Sequence, residues 1–283
     1  MKIGFIGFGE AARAFCDTLR VVEPSLRFAA WDRLSTEDAM RAAMAERGVA
    51  PASPDGLSDC DWIFSAVTAD QSLAALEAQR AHLRPGQVVI DINSVSPGRK
   101  RDSAALVAQA GARYVDMAVM APVHPRGHRT PVLVAGDTGV MPDLLRLGFD
   151  CREVGAQPGD ATAIKMVRSL FVKGLEAITV ECLLAAEASG CRDEIIASLS
   201  ASFPGLGWPD FAAYQFERTL RHGARRAAEM RESAETLRAL GLRGALADEI
   251  AEVQERMAAC DLRAGEAPLP TLLAPVLAAR RRV

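Results

Sequence analysis

The chain has 283 residues, of which 49% are hydrophobic, and its formal net charge is −3. This length allows one large domain or two ordinary domains around a sizeable core. The small negative charge gives no attraction to nucleic acid or to an anionic membrane surface, and no apolar run reaches the ~18 residues of a membrane span. The six cysteines show neither a CxxC pair nor metal-ligand spacing, so we expect reduced thiols in a cytoplasmic protein without a metal centre. The N-terminus enters a strand at once, so no signal peptide is expected.

The first elements predict a nucleotide-binding turn. Residues 2–6 read as a short buried strand, and apolar residues then recur at helical spacing after residue 10. Between them stands the sequence GFGEAA at positions 7–12, whose small residues allow a tight turn and the approach of a pyrophosphate to the helix N-terminus. A second strand, residues 26–31, ends at Asp32, an acid placed to hydrogen-bond an adenosine ribose. We therefore expect a dinucleotide to be bound by Gly7, Phe8, Gly9, Glu10, Ala11 and Asp32.

Two neighbouring residues bear on the choice between NAD and NADP. Asp32 would repel the additional phosphate of NADP, which favours NAD. Arg33 follows directly and could instead attract that phosphate, or it could be a solvated surface charge. We expect NAD, with NADP as the alternative cofactor and Arg33 as a further cofactor contact.

Strands and helices alternate through the first half of the chain. Further strands are predicted at 61–67, 87–92, 112–117 and 131–135, and helices at 36–47, 71–82 and 102–110. This alternation is typical of a doubly wound parallel sheet with helices on both faces, a Rossmann-like α/β domain that we assign to residues 1–157. Because ligands bind beyond the carboxyl ends of such strands, we expect Val67, Thr68 and Asn93 to contact the cofactor. Ser94 and Ser96 are expected to line its nicotinamide end and to touch the substrate.

The second half of the chain, residues 158–283, is predicted to be an all-α domain. It begins with a long helix at 161–189 that is apolar on more than one side, which indicates packing between domains or between subunits. Shorter helices are predicted at 192–202, 209–221, 223–240, 243–260 and 269–280.

Lys165 is the best candidate for proton transfer. A nicotinamide enzyme that oxidises an alcohol needs a group to take the hydroxyl proton, and the same group returns it in the reverse reaction. Lys165 follows a stretch of small residues near the start of the long helix, where a partly apolar setting could lower its pKa. From the residues alone, a surface lysine is the alternative.

Several stretches of the chain together resemble the β-hydroxyacid dehydrogenase family. They are GFG at 7–9, DINSVSP at 91–97, DMAV at 116–119, GDATAIK at 159–165 and the helical second half. The segment SLSASFPGLGW at 198–208 resembles a phosphogluconate-dehydrogenase-like branch. The family includes 3-hydroxyisobutyrate, tartronate semialdehyde and 6-phosphogluconate dehydrogenases. The resemblance implies that Lys165 is the catalytic lysine, that the substrate is a small, anionic 3-hydroxy acid, and that the chain forms a homodimer through the all-α domain.

The chain departs from the family at the positions that contact substrate. Met120 begins the segment that replaces the usual Ser-Gly-Gly, and Ser169 replaces the asparagine that follows the lysine by four residues, so we expect Ser169 to assist Lys165. Arg168 and Lys173 are expected to bind the anion, although an ion pair with Glu176, or with a carboxylate across a subunit interface, is the alternative for both.

Two other basic segments are open to more than one interpretation. The loop from His124 to Arg129 could recognise a carboxylate or phosphate through its four basic groups, or it could be an exposed loop or a dimer contact. On a predicted helix, His222, Arg225, Arg226 and Glu229 fall near one face. The resemblance implies that this region closes over the cofactor, and a solvated helix face is the alternative.

The sequence thus predicts an NAD(P)-dependent oxidoreductase that acts on a small hydroxy acid or on its aldehyde or keto form. An imine reductase on the same fold is one alternative, although such relatives generally replace the lysine that is retained here. A non-catalytic NAD-binding regulatory protein is the other.

Overall fold

The computed structural model describes residues 1–265 and 267–282. The chain forms two compact units, residues 1–166 and residues 167–283. The domain limits expected from the sequence, 1–157 and 158–283, stay predictions.

The first unit is built on a single mostly parallel sheet. Its strands are β1 (Lys2–Ile6), β2 (Arg27–Trp31), β3 (Val49–Pro51), β4 (Trp62–Ser65), β5 (Val88–Asp91), β6 (Arg113–Val119), β7 (Val132–Gly136) and β8 (Cys151–Gly155). The strand order is β3-β2-β1-β4-β5-β6-β7-β8. The connecting helices are α1 (Glu10–Val22), α2 (Asp38–Glu46), α3 (Ser72–Arg80), α4 (Pro97–Gln109) and α5 (Met141–Arg146). The Rossmann-like fold expected from the alternation of strands and helices is confirmed.

The sheet differs from the prediction at its far edge. Strand β7 pairs antiparallel with β6, whereas every other neighbouring pair is parallel. The segment between β6 and β7 holds only a short turn of 3-10 helix, Gly127–Arg129, and lacks the α-helix that usually forms a parallel crossover. Strand β8 was also missed, as were the three-residue strand β3 and the short helix α5.

Aromatic side chains join the sheet to the helix that follows the glycine turn. The rings of Phe5 and Phe64, on neighbouring strands, lie 5.8 Å apart between centroids. Phe15 of α1 meets Phe64 edge to face at 6.0 Å, and all three side chains are fully buried. Packing of this kind fixes α1 against the sheet, and so fixes the position of its N-terminus.

The second unit is helical throughout residues 167–265 and 267–282, apart from its loops. Helix α6 (Asp160–Ser189) begins in the first unit and continues into the second, where α7 (Arg192–Ser202), α8 (Asp210–Ala239), α9 (Ala245–Ala258) and α10 (Leu269–Arg280) follow. Within the described ranges, none of the helices combines the length and apolar composition needed to cross a bilayer.

The predicted break between two helices near residue 222 is wrong, because α8 runs through it without interruption. Gly223, at the position of the predicted break, is buried within α8. A Cβ atom there would lie 2.3 Å from the carbonyl oxygen of Gln254 in α9. The glycine therefore allows close helix packing rather than ending a helix.

Candidate functional site

The glycine turn has the backbone geometry that the sequence predicted. Gly7 has a φ of +84°, and a Cβ atom there would lie 2.6 Å from the carbonyl oxygen of Ala66. A Cβ atom on Gly9 would meet nothing within 4 Å. Gly9 is also the N-cap of α1 and supplies no side-chain cap, so the first-turn N–H groups of the helix have no side-chain acceptor there. Open space over a helix N-terminus fits a bound pyrophosphate.

The remaining residues of the turn are divided between core and surface. Phe8 is fully buried and its ring packs 5.8 Å from that of Phe5, so only its backbone faces the turn. Glu10 and Gly9 are exposed, and Ala11 is half-buried. The carboxylate of Glu10 therefore lies in solvent, where it carries little penalty near an anion.

Asp32 is held at the end of β2 by backbone groups. Its Oδ2 accepts a 2.6 Å hydrogen bond from the N–H of Phe8, and its Oδ1 accepts one of 2.8 Å from the N–H of Leu34. Each carboxylate oxygen has a second lone pair that could accept from a ribose hydroxyl. Arg33 is exposed.

Asn93 cross-links the ends of two neighbouring parallel strands. Its Oδ1 accepts from the N–H of Val67 at 2.7 Å, and its Nδ2 donates to Ser65 Oγ at 2.9 Å. The side chain is buried, whereas Thr68 is exposed. Asn93 therefore orders the loop after β4, a role that the sequence did not predict.

Lys165 and Ser94 are in direct contact. Lys165 Nζ donates to Ser94 Oγ at 2.6 Å, and both side chains are half-buried. Ser94 lies three residues beyond the end of β5, at the carboxyl edge of the sheet where the glycine turn also lies. The structure thus brings together two residues that the sequence assigned to proton transfer and substrate contact.

A buried carboxylate fixes the first turn of α6. Asp116, on β6, accepts hydrogen bonds from the N–H groups of Gly159 and Thr162 through Oδ2, each of 3.0 Å. The hydroxyl of Thr162 donates to the carbonyl oxygen of Val95 at 2.8 Å. Both contacts hold the helix start against the segment that carries Ser94, and so set the approach of Lys165.

Lys100 supplies the charge that makes this arrangement possible. Its side chain is 0% exposed, and Nζ lies 3.0 Å from Asp91 Oδ1 and 3.3 Å from Asp116 Oδ1. Tyr114 donates to Asp91 Oδ2 at 2.7 Å. The pKa of Tyr114 is raised well above its usual value, mostly by burial and then by the charges of Asp91 and Asp116. The phenol therefore stays protonated and can donate.

Sequence reasoning missed the part played by Lys100, although both carboxylates lie in motifs that carry the family resemblance. Lys100 stands in the run RKRD at 99–102, which looks like a solvated helix start. Two acids within predicted buried strands were the available signal, because buried charges need a partner.

The basic loop between β6 and β7 is not uniformly exposed. His124, Arg126 and Arg129 are exposed, but His128 is fully buried. Its Nδ1 lies 2.7 Å from Thr18 Oγ1 and its Nε2 lies 3.0 Å from the carbonyl oxygen of Leu147. Burial lowers the pKa of His128, so this residue joins the loop to α1 as a neutral side chain.

The other predicted substrate contacts fall into two groups. In the first unit, Met120 is half-buried and packs against a small apolar cluster that includes Ala161, and Ser96 is the N-cap of α4. In the second unit, Arg168 is exposed, whereas Ser169 and Lys173 are buried.

Lys173 links α6 to α8. Its Nζ donates to Ser169 Oγ at 3.1 Å and lies 2.8 Å from Glu229 Oε2. The ion pair that the sequence offered as the alternative, with Glu176, is made instead by Arg226. Within residues 1–265 and 267–282, no group of three or more His, Cys, Asp or Glu side chains is arranged to hold a metal ion.

Comparison with known proteins gives two domain matches. Residues 2–145 match the family described as the NAD binding domain of 6-phosphogluconate dehydrogenase, and residues 186–257 match a domain of unknown function, DUF1932.

Solved structures are similar over nearly the whole chain. A conserved hypothetical protein from Sinorhizobium meliloti 1021 is 37% identical, with a TM-score of 0.73 over 99% of this chain and 96% of that one. A conserved protein of unknown function, described as similar to 3-hydroxyacid dehydrogenases, is 27% identical, with a TM-score of 0.69 over 91% of this chain and 96% of that one. The 3-hydroxyisobutyrate dehydrogenase of Mycobacterium tuberculosis is 17% identical, with a TM-score of 0.73 over 99% and 98% of the two chains, and shares the fold.

These matches confirm the resemblance drawn from the sequence motifs. The glycine turn, the strand-end residues and the helical second half all lie within them. The chain therefore belongs to the family defined by the NAD binding domain of 6-phosphogluconate dehydrogenase, here combined with a DUF1932 domain.

Proposed function

We propose that the protein is an NAD(P)-dependent oxidoreductase that acts on a small hydroxy acid or on its aldehyde or keto form. The observation that carries this proposal is the 2.6 Å contact between Lys165 Nζ and Ser94 Oγ at the carboxyl edge of the sheet. In a Rossmann-like domain this edge is where a dinucleotide binds. A titratable amine beside a hydroxyl is the pairing that proton transfer to a substrate oxygen needs.

The glycine turn is the proposed cofactor site. The open space over Gly9 and the uncapped start of α1 suit a pyrophosphate. Asp32, Val67 and Thr68 lie at strand ends that would contact the rest of the dinucleotide. When bound, the nicotinamide would accept or supply a hydride.

We propose NAD as the preferred cofactor. The Asp32 carboxylate stands at the end of β2, where its negative charge disfavours an additional phosphate. Exposed Arg33 is the residue that would favour NADP. Titrating the protein with NADH and with NADPH, and following nicotinamide fluorescence, tests this preference. Tighter binding of NADPH would contradict it.

Lys165 is the proposed general acid and base. In oxidation it takes the proton of the substrate hydroxyl, and in reduction it returns a proton to the carbonyl oxygen. Ser94 Oγ accepts a hydrogen bond from Lys165, so the hydroxyl of Ser94 keeps its own proton to donate to substrate. In the second unit we propose Ser169 and Lys173 as contacts for an anionic group of the substrate. Lys173 Nζ lies beside the Ser169 hydroxyl, and such an anion would share this ammonium group with Glu229.

The test is a dehydrogenation assay that follows the absorbance of the reduced nicotinamide. Purified protein is screened with NAD and NADP against hydroxy acids that carry a carboxylate, phosphonate or sulfonate. Substituting Lys165→Ala should lower kcat by about 10²- to 10⁴-fold, the usual contribution of a general acid or base. The fluorescence titration with NADH should be unchanged in this variant.

A matched control removes a lysine remote from these residues. Lys2 pairs with Asp59 at the surface, and Lys2→Ala should retain wild-type turnover. Equal turnover by Lys165→Ala and by Lys2→Ala would refute the assignment of the proton to Lys165.

Two other functions would give different results in the same screen. An imine reductase would reduce a cyclic imine with NADPH or NADH and leave hydroxy acids untouched. A regulatory protein would bind the cofactor in the fluorescence titration without turning over any substrate, and Lys165→Ala would leave its role intact.

We also propose a homodimer formed through the helical unit. Val167, Phe171 and Ile178 are 52%, 73% and 67% exposed, and their spacing places them near one face of α6. Large exposed apolar side chains in a row mark a protein contact.

The six cysteines are free thiols, which agrees with a protein of the cytoplasm.

A further inference from the structure

Helix α8 concentrates basic side chains in its central part, residues 218–226. Arg218, His222 and Arg225 follow at intervals of four and three residues, so they lie on one face of the helix. Arg221 and Arg226 stand beside them. Arg218 and His222 are half-buried and Arg226 is only 8% exposed, so part of this basic cluster is withdrawn from solvent.

The nearby carboxylates leave one member of the cluster without a counter-ion. Arg226 pairs with Glu176, Arg225 lies 2.6 Å from Glu229, and Arg221 lies 3.6 Å from Glu217. Glu229 is shared with Lys173. Glu232, further along the same face, is also buried.

Arg218 is the residue without a partner. Across the described parts of the chain its side chain makes neither an ion pair nor a hydrogen bond, and its buried Nε has no acceptor. Burial and the charge of Arg226 lower its pKa. Desolvation and like-charge repulsion both oppose folding, so the arrangement contributes nothing evident to stability.

His222 reports the same local field. The pKa of His222 is lowered to about 4. Burial is the largest cause, and the positive charges of Arg218, Arg225, Arg226 and Arg221 lower it further. The imidazole is therefore neutral at pH 7 and provides one N–H donor between two guanidinium groups.

We propose that Arg218, His222 and Arg225 form a binding site for the oxyanion of a small molecule, of the carboxylate or phosphate type. Guanidinium groups bind such oxygens through paired, charge-assisted hydrogen bonds. An anion seated here supplies the counter-charge that Arg218 lacks. This inference is independent of the proposed oxidoreductase activity, because it concerns residues of α8 and its test uses no cofactor.

The test is thermal unfolding with inorganic phosphate, with acetate, and with chloride at equal ionic strength. A ligand that binds only the folded state raises its stability as the ligand concentration exceeds Kd. We expect phosphate or acetate to raise Tm above the chloride value, and the part of this rise that is lost in Arg218→Gln identifies the preferred oxyanion. Equal Tm in all three salts would overturn the proposal.

Arg218→Gln separates a binding site from a structural one. We expect the apparent Kd for the stabilising anion to rise at least tenfold, while Tm in chloride stays equal to or above that of the wild type. The matched control is Arg231→Gln on the same helix, where Arg231 pairs with Glu255 at the surface; it should keep the wild-type response. A fall of Tm in chloride for Arg218→Gln, or an unchanged Kd, would overturn the proposal. Arg218→Lys, which keeps the charge with fewer donors, should bind the anion with intermediate affinity, and an affinity equal to that of Arg218→Gln would argue against a charge-based site.

Discussion

Replacing Lys100 with methionine should lower the free energy of unfolding of the first unit far more than a surface substitution does. Lys100 is 0% exposed and faces the equally buried carboxylates of Asp91 and Asp116. Methionine is of similar length, so the substitution removes the charge without leaving a large cavity. Two buried carboxylates would then lack the ammonium group that lies within 3.3 Å of both.

Removing one partner from a buried ion pair costs about 3 to 5 kcal/mol, because the remaining charge is uncompensated. Native domains are stable by roughly 5 to 15 kcal/mol, so this loss is a large share of the total. A surface pair gives the reference value. Lys2 and Asp59 have side chains that are 22% and 68% exposed, and Lys2→Met should cost about 0 to 1 kcal/mol.

Urea unfolding measures both effects from the midpoint and the slope. Trp31 and Trp62 lie in the first unit, and their fluorescence follows its unfolding. Adding Asp116→Asn to Lys100→Met should recover part of the loss, because one carboxylate charge is removed while an amide oxygen still accepts from Gly159 and Thr162. The reasoning fails if Lys100→Met costs no more than Lys2→Met, or if the second substitution deepens the loss.

Three further predictions follow from the glycine turn, the α8 histidine and the apolar face of α6. Gly7→Ala should destabilise the protein because φ is +84° and the added methyl group meets a carbonyl oxygen. Gly9→Ala should change the urea midpoint little but weaken NADH binding. Similar urea midpoints for both variants would contradict this expectation. The pKa of His222 is about 4 in the folded protein, below its unfolded value of ~6.5. Between these two pH values the unfolded chain therefore binds more protons than the folded protein. The free energy of unfolding consequently decreases as pH falls from 6.5 to 4. His222→Gln should therefore lose less stability than the wild type between pH 7 and pH 5, measured by urea unfolding, and an equal loss would exclude this titration. Phe171→Glu should halve the mass measured by light scattering if α6 forms the dimer contact, and an unchanged dimer would place the contact elsewhere.

Local sequence signals identified most of the first unit. The glycine turn, the acid after β2 and the buried strands all depend on residues that are close together in the chain, and these features agree with the structure. β3 was missed because three residues carry too little periodicity. β8 was missed because its sequence, CREVG, is half polar and its side chains are partly exposed.

The remaining errors arose where distant contacts decide a residue's role. Gly223 stands at the predicted break between two helices and proves to be a packing site against α9. His128 belongs to a basic loop in the sequence, but its ring is enclosed by α1 and the carbonyl of Leu147. Lys100 looks solvated until β5 and β6 pair and bring Asp91 beside Asp116. Each of these roles depends on a neighbour that only the folded chain supplies.

Asp32 has a consequence for any attempt to change cofactor preference. Its carboxylate accepts hydrogen bonds from the N–H groups of Phe8 and Leu34, so the residue that we propose as the ribose contact also holds the glycine turn in place. Replacing it to admit NADP would free both backbone groups at once. Cofactor recognition and the order of the glycine turn therefore depend on one side chain. A change of cofactor in an evolving or engineered descendant should require a second substitution that again supports the turn.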